Sequence, residues 1–240
     1  MKRIYVLVSL LFFLWLGAIN ANEDYFSRAQ FIEKHNVYLY QDPVYEIVWY
    51  ANKIKKAEGK LKNQKRQGNW KFWYENGNLK AEGTYEDGRM EGYWKFYYPN
   101  QSLHSEGNYK NNRKEGEWKF YYENGKIKSI GNFVNGIRNG EWKEYYENGQ
   151  LFFQGNYKEG LANGYWVYFF PNGGFFQSGN FENDARVGVW KICIHPGGPC
   201  GEEKIDNKSP PPPSGLPKID TPKEYSTDIK DPMKILQSFE

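Results

Sequence analysis

The sequence is poor in the residues that most metal and catalytic sites require. Its 240 residues include only 3 His and 2 Cys, which excludes most zinc-binding architectures because these need clusters of such ligands. The mean hydropathy of −0.86 excludes a membrane protein with many spans. The 32 Lys and Arg nearly balance the 29 Asp and Glu, which argues against a dedicated nucleic-acid-binding protein.

The few chemically reactive residues do not form a recognisable motif. His35, His104 and His195 lie far apart, so we interpret them as surface or loop residues. Cys193 and Cys200 have no neighbouring His or Cys, so a disulfide is favoured over a metal site. A hydrolase acting on cell-wall glycans would need a non-repeated carboxylate pair, and none stands out. The sequence therefore predicts no catalytic residues, no cofactor and no metal.

The N-terminus has the pattern of an export signal. Lys2 and Arg3 precede an apolar run from Ile4 to Ile19, and Ala21 offers a small residue for cleavage. This predicts a signal peptide over residues 1–21 and a protein that is periplasmic, on the cell surface or secreted. An uncleaved N-terminal membrane anchor is the alternative.

Aromatic residues and glycine are abundant, with 9 Trp, 20 Tyr, 16 Phe and 25 Gly, a mix that suits β-strands joined by tight turns. A spacing of 24 residues separates six tryptophans: Trp70, Trp94, Trp118, Trp142, Trp166 and Trp190. A glycine stands two positions before each of them. Five full repeats begin at residues 68, 92, 116, 140 and 164, a truncated one at 188, and an eroded one covers 44–67.

Each repeat contains two turn signals when its positions are numbered from the first glycine. Positions 9 and 10 read Asn-Gly in four of the five full repeats, and position 21 is always Gly, Asn or Asp. A two-residue turn at positions 9–10 places the tryptophan at position 3 opposite the glycine at position 16, as Trp70 opposite Gly83, and predicts that this glycine leaves room for the indole. In this register positions 3, 5, 7, 12, 14, 16 and 18 share one face. A three-residue loop with a bulge is the alternative, and it is suggested by Pro99 and Pro171 at position 8.

Stacked hairpins bury an apolar face that one 24-residue hairpin cannot bury alone. The predicted fold class is therefore all-β: an elongated, single-layer β-hairpin meander, or solenoid, of these repeats. The predicted organisation is a signal peptide (1–21), an N-terminal cap segment (22–43) that could include a short helix, the repeat array (44–200) and a proline-rich, disordered tail (201–240).

The twelve residues from Gly83 to Trp94, GTYEDGRMEGYW, resemble a MORN (membrane occupation and recognition nexus) repeat. The Trp-x-x-Tyr-Tyr-x-Asn-Gly-x-Leu block resembles the bacterial variant of that repeat, here as an exported member. Asn112 and Asp184 depart from the pattern where it has Gly. The resemblance implies hairpin arrays that contact proteins or phospholipids without chemistry of their own, and some such proteins are antitoxin-like partners. An export signal fits poorly with that last role.

Two surfaces are candidates for ligand contact. The first is the strand face that carries positions 4 and 6, which hold Lys71, Trp73, Lys95, Tyr97, Lys119, Tyr121, Lys143, Tyr145 and Phe169. Rows of cations and aromatic rings there could bind a ligand, or could only strengthen the sheet. The second is a basic cluster that could meet anionic lipid, or could be a solvated sheet edge: Lys53, Lys55, Lys56, Lys60, Lys62, Lys65 and Arg66. The expected partner is an unidentified protein or envelope-surface ligand, and the oligomeric state stays open.

Overall fold

The computed structural model describes residues 25–205, so the predicted signal peptide and most of the proline-rich tail lie outside the described residues. Within this range no helix is long and apolar enough to cross a membrane. The described chain divides into two compact units. The first comprises residues 25–113 and Glu123–Gly125, and the second comprises Lys114–Tyr122 and residues 126–205.

Strands make up nearly all of both units. The first unit carries β1 (Gln30–Ile32), β2 (Val37–Gln41), β3 (Tyr45–Tyr50), β4 (Lys55–Lys62), β5 (Lys65–Trp73), β6 (Leu79–Glu86), β7 (Arg89–Tyr97) and β8 (Leu103–Lys110). The second carries β9 (Arg113–Tyr121), β10 (Ile127–Val134), β11 (Ile137–Tyr145), β12 (Leu151–Lys158), β13 (Leu161–Phe169), β14 (Phe175–Glu182), β15 (Ala185–Cys193) and β16 (Cys200–Ile205).

Within each unit every strand pairs antiparallel with the strands before and after it in the chain. The predicted all-β hairpin meander is therefore confirmed. Two boundaries differ from expectation. The helix that the cap segment could include is limited to residues 25–27 and is followed by β1, a 3-10 turn at Glu33–His35 and β2, and residues 201–205 of the predicted tail belong to β16.

The turn at positions 20 and 21 is a two-residue turn in which both residues have positive φ. Asp87 and Gly88 have φ values of 48° and 80°, and Asn111 and Asn112 have 50° and 65°. Such type I′ geometry matches the twist of the flanking strands. Asn112 and Asp184, which stand where the repeat pattern has glycine, keep this type I′ geometry because Asn and Asp tolerate positive φ. The Asn112 side chain also accepts a hydrogen bond from the Met90 N–H (2.6 Å).

The Asn-Gly turn is not the two-residue turn that we expected. Gly77 donates its N–H to the Tyr74 carbonyl and Tyr74 donates to the Asn78 carbonyl, both at 2.9 Å, and Gly77 has a φ of 87°. This is the three-residue alternative, a type I turn closed by a glycine bulge. Position 8 is then the second residue of the turn, where proline is favoured, and this explains Pro99 and Pro171.

The predicted pairing of Trp70 with Gly83 is nevertheless correct. Because the loop is one residue longer, Trp73 pairs with Leu79 and not with the residue after it. A bulge between Leu79 and Ala81 then restores the predicted register for the rest of the hairpin. The bulge moves position 12 to the face that carries position 6, whereas we expected it on the tryptophan face. The strand register is thus set by two compensating irregularities.

The core is a row of six tryptophans, and Trp70, Trp94, Trp142, Trp166 and Trp190 are each inserted over a glycine of the preceding repeat. A Cβ added to Gly83 would overlap the indole of Trp94, and one added to Gly59 would overlap that of Trp70. Position 16 therefore makes room for the tryptophan of the following repeat, not for the one within its own hairpin as we predicted. The indole N–H of Trp94 donates to the Thr84 carbonyl at 3.1 Å. All six repeat tryptophans are buried.

Candidate binding faces

On the face that carries the tryptophans, other side chains of the protein cover the indole rings. A cation at position 23 lies over the next tryptophan ring in four repeats: Arg66 over Trp70, Lys114 over Trp118, Arg138 over Trp142 and Arg186 over Trp190. The distances from the charged group to the ring centroid run from 3.9 to 4.8 Å, within cation–π range. This row of cations over rings was not predicted from the sequence, although position 23 holds Lys or Arg in four repeats.

Arg66 belongs to this row and not to a basic surface cluster. Its side chain is 1% exposed, and its Nη2 lies 3.7 Å from Oε1 of Glu46, which is 0% exposed. Glu46 occupies position 3 of the eroded repeat, where the other repeats have tryptophan. A buried Arg–Glu pair replaces an indole at this site, so the proposed contact of Arg66 with an anionic surface is wrong.

The other members of the basic cluster are spread over both ends of β4. Lys55 pairs with Glu58 at 2.7 Å, Lys56 lies over the Tyr50 ring at 5.2 Å, and Lys53 lies over Phe26 at 5.5 Å. Burial lowers the pKa of Lys56, and the nearby charge of Lys80 lowers it further. Lys60, Lys62 and Lys65 are exposed around the turn between β4 and β5.

The opposite face, here called the lysine–aromatic face, carries positions 2, 4, 6, 12, 15, 17, 22 and 24. In the first unit its centre is a charge ladder across the strands, formed by Glu58, Lys71, Glu82, Lys95 and Glu106. Lys71 Nζ lies 3.8 Å from Glu82 Oε2. Opposite charges on neighbouring strands stabilise the sheet and largely neutralise this part of the surface.

Tyr97 is tied into the same ladder. Its hydroxyl donates to Oε1 of Glu82 at 2.8 Å, and burial together with this hydrogen bond raises the pKa of Tyr97 to about 12. The hydroxyl is therefore a neutral donor under ordinary conditions.

The alternation of opposite charges is lost along most of the second unit. The same row there holds Lys119, Ile130, Lys143, Gln154, Val167, Ser178, Lys191 and Glu202 in order. Lys119 and Lys143 pair instead with Glu117 at 3.4 Å and Glu141 at 3.1 Å, two residues earlier on the same strand. Between Lys143 and Lys191 this face carries several apolar residues, of which Tyr165 (59%) and Val189 (52%) are among the most exposed hydrophobic residues of the described chain.

Beside the ladder runs an aromatic strip that is continuous within each unit. Every aromatic residue at position 6 pairs with an apolar residue at position 12: Trp73 with Leu79, Tyr97 with Leu103, Tyr121 with Ile127, Tyr145 with Leu151 and Phe169 with Phe175. The rings are neither buried nor fully exposed. The structure thus brings the predicted position-6 residues into one strip in each unit, with the position-4 lysines alongside them.

One repeat carries an acid within the tryptophan face. Glu144 stands at position 5, where the other full repeats have Phe or Tyr. Burial raises the pKa of Glu144, whereas the charges of Lys128 and Arg138 lower it. Arg138 also donates to the Tyr157 hydroxyl at 3.2 Å, so the acid and its partners interrupt the aromatic row.

A disulfide joins Cys193 and Cys200, which lie opposite each other on β15 and β16. His104 contacts the Tyr98 ring, and His195 lies in the turn between the last two strands. Among residues 25–205 no group of three or more His, Cys, Asp or Glu side chains is placed to hold a metal ion.

Comparison with known proteins identifies the repeat. A family model described as the MORN repeat variant matches residues 66–87, 90–111, 114–135 and 138–159. No curated protein matches the chain. Among solved structures the chain is similar to one in the crystal structure of the GtfA/B complex bound to UDP and GlcNAc, with 13% identity and a TM-score of 0.22. That match covers 53% of this chain and 25% of the other.

Proposed function

Because the chain belongs to the MORN repeat variant family, we propose that it is a non-enzymatic scaffold that binds a protein or another surface ligand in the cell envelope or outside the cell. The lysine–aromatic face is the proposed contact surface. The observation that carries this proposal is the aromatic strip of each unit: the two strips together hold five aromatic–apolar pairs on neighbouring strands, and their rings are only partly buried.

The aromatic strip is a better surface for protein contact than the charge ladder beside it, because the ladder side chains are largely paired with one another. The Lys71–Glu82 pair and the Tyr97–Glu82 hydrogen bond already satisfy much of the ladder within the sheet. Aromatic rings on a rigid backbone lose little entropy when they bind, and they are enriched in binding hot spots. The tryptophan face, in contrast, buries its rings beneath its own cations, such as Arg66 and Arg138.

Two features support a location outside the cytoplasm. The predicted signal peptide is one, and the disulfide between Cys193 and Cys200 is the other, because disulfides persist in oxidising compartments. The antitoxin-like role implied by the family resemblance would require the cytoplasm, so we do not propose it.

The test is capture of ligands from envelope extract by the wild-type chain and by a strip variant with Tyr97→Ser, Tyr121→Ser and Tyr145→Ser. The control variant carries Glu75→Ser, Glu123→Ser and Glu147→Ser, three exposed turn residues. The ligand should be retained by the control and lost by the strip variant, with circular dichroism showing that both are folded. Equal retention by all three proteins would show that the strip has only a structural role.

A second candidate function is binding to anionic lipid. It is favoured only by the exposure of Lys60, Lys62 and Lys65 around one turn. Co-sedimentation with vesicles that contain or lack phosphatidylserine separates the two functions. Binding that needs the anionic lipid and is abolished by changing these three lysines to Gln would support the second.

A further inference from the structure

Towards its C-terminal end the lysine–aromatic face carries a cluster of apolar side chains, bordered by Lys191, whose Nζ lies 5.7 Å from the centroid of the Phe175 ring. The apolar patch consists of Tyr165, Val167, Phe169, Phe175, Val187 and Val189 on β13, β14 and β15. Val187 and Val189 both point to this face because Gly188, with a φ of 70°, forms a bulge between them. Tyr165 and Val189 are more than half exposed.

Equivalent rows elsewhere are mostly polar, with the exception of Tyr93, which is opposite Asn108 and lies far from the proline run in the chain. The row at positions 2, 17 and 24 holds Asn69, Thr84 and Glu91 in the first unit. In the patch the same row reads Tyr165, Asn180 and Val187 across neighbouring strands. An exposed aromatic ring beside an exposed amide is the combination that binds proline-rich segments. The ring packs on the pyrrolidines, and the hydroxyl and amide donate to the free carbonyls of a polyproline II helix.

The chain itself supplies such a segment close to the patch. Four consecutive prolines, Pro210–Pro213, follow β16, which ends at Ile205. Ile205 pairs with Gly188 on β15, at the level of Val187 and Val189. The described chain therefore ends beside the apolar row, one strand from its nearest members.

The lengths match. Tyr165 lies on the third strand from β16, which is about 14 Å at the usual strand spacing. The five residues from Ile205 to Pro210 span up to about 17 Å when extended, and four residues of polyproline II cover about 12 Å. The linker and the proline run can therefore cross the patch from Val189 to Tyr165 without strain.

We propose that the segment Ser209–Pro213 docks across the apolar patch of its own chain. This inference rests on the proposed function, because it assigns an internal occupant to one end of the proposed binding face. An external ligand that uses this end must displace the segment, whereas a ligand bound to the strip of the first unit, around Trp73 and Tyr97, is unaffected.

Hydroxyl-radical footprinting of the full chain tests the proposal without any external ligand. The variant changes Pro210, Pro211, Pro212 and Pro213 to Ser. Because Tyr165 is 59% exposed when uncovered, its oxidation should be about threefold slower in the wild type, where the docked segment covers it, than in the variant. Tyr93 is the matched control, since it holds position 2 of an earlier repeat and is 50% exposed, and its rate should not change.

Equal oxidation of Tyr165 in both chains would overturn the proposal while leaving the proposed function intact. Protection that disappears on dilution would assign the patch to the segment of a second copy and would equally overturn it. A second measurement uses the wild-type tail: the amide NMR signals of Ser214 and Gly215 should shift in Tyr165→Ser but not in Tyr93→Ser. Identical spectra for both variants would also contradict docking.

Discussion

The glycine at position 16 should tolerate an added side chain less well than any other position of the repeat, and Gly83→Ala tests this directly. A Cβ at this site overlaps atoms of both rings of the Trp94 indole, and Trp94 is fully buried. Overpacking of this kind costs about 1–3 kcal/mol. The displaced indole also loses its hydrogen bond to the Thr84 carbonyl (3.1 Å), which adds about 1 kcal/mol. We therefore expect the free energy of unfolding to fall by about 2–4 kcal/mol.

The matched control is Gly92→Ala. Gly92 has a φ of 66° and no atom within 4 Å of an added Cβ, so the control measures backbone strain alone, about 1–2 kcal/mol. Urea denaturation followed by circular dichroism gives the midpoints. Hydrogen exchange of the β6 and β7 amides shows whether the effect is local, because repeat arrays can unfold in parts.

A double-mutant cycle with Trp94→Leu identifies the cause. A smaller side chain at position 94 leaves room for the new Cβ, so the double variant should lose at least about 1 kcal/mol less than the sum of the single variants. If Gly83→Ala costs no more than Gly92→Ala, or if Trp94→Leu gives no relief, the insertion of each tryptophan over the preceding glycine is refuted.

Three further predictions concern charge, protonation and the disulfide. Glu46→Ala should destabilise the protein by about 3–5 kcal/mol because it leaves Arg66 buried without its carboxylate, and Glu46→Ala with Arg66→Met should recover most of this loss in urea denaturation. The raised pKa of Tyr97, about 12, means that the folded state holds this proton more tightly than the unfolded state. Stability should therefore decline as pH rises from about 10, the unfolded value, to about 12, and the decline should be smaller in Tyr97→Phe; equal declines would contradict this assignment. Cys193→Ser with Cys200→Ser should weaken the β15–β16 hairpin by about 2–3 kcal/mol, seen as faster amide exchange there and not in β5–β6.

Much of the candidate site could be anticipated from periodicity, because alternation along a strand fixes which side chains share a face. Lys71 and Trp73 were correctly placed together on that basis. The burial of Arg66 could not be predicted in this way, since it depends on its pairing with Glu46, which lies twenty residues earlier at a position that holds tryptophan in the other repeats. The apolar patch was signalled only by Val167 at a position that elsewhere holds lysine.

The sequence by itself determined the repeat length, the places of the turns and the pairing of each tryptophan with the glycine of its own hairpin, because these depend on local backbone preferences. Gly, Asn and Asp at position 21 accept positive φ, and the position of Gly77 limits the loop geometry. Only the tertiary structure decided that the indole of Trp94 lies over Gly83 of the preceding repeat, as four other repeat tryptophans lie over the corresponding glycines. Trp94 pairs with Gly107 of its own hairpin, so spacing leaves two glycines open to its ring. The choice between them is made by the lean of the side chain across neighbouring strands, a packing property that no local pattern encodes.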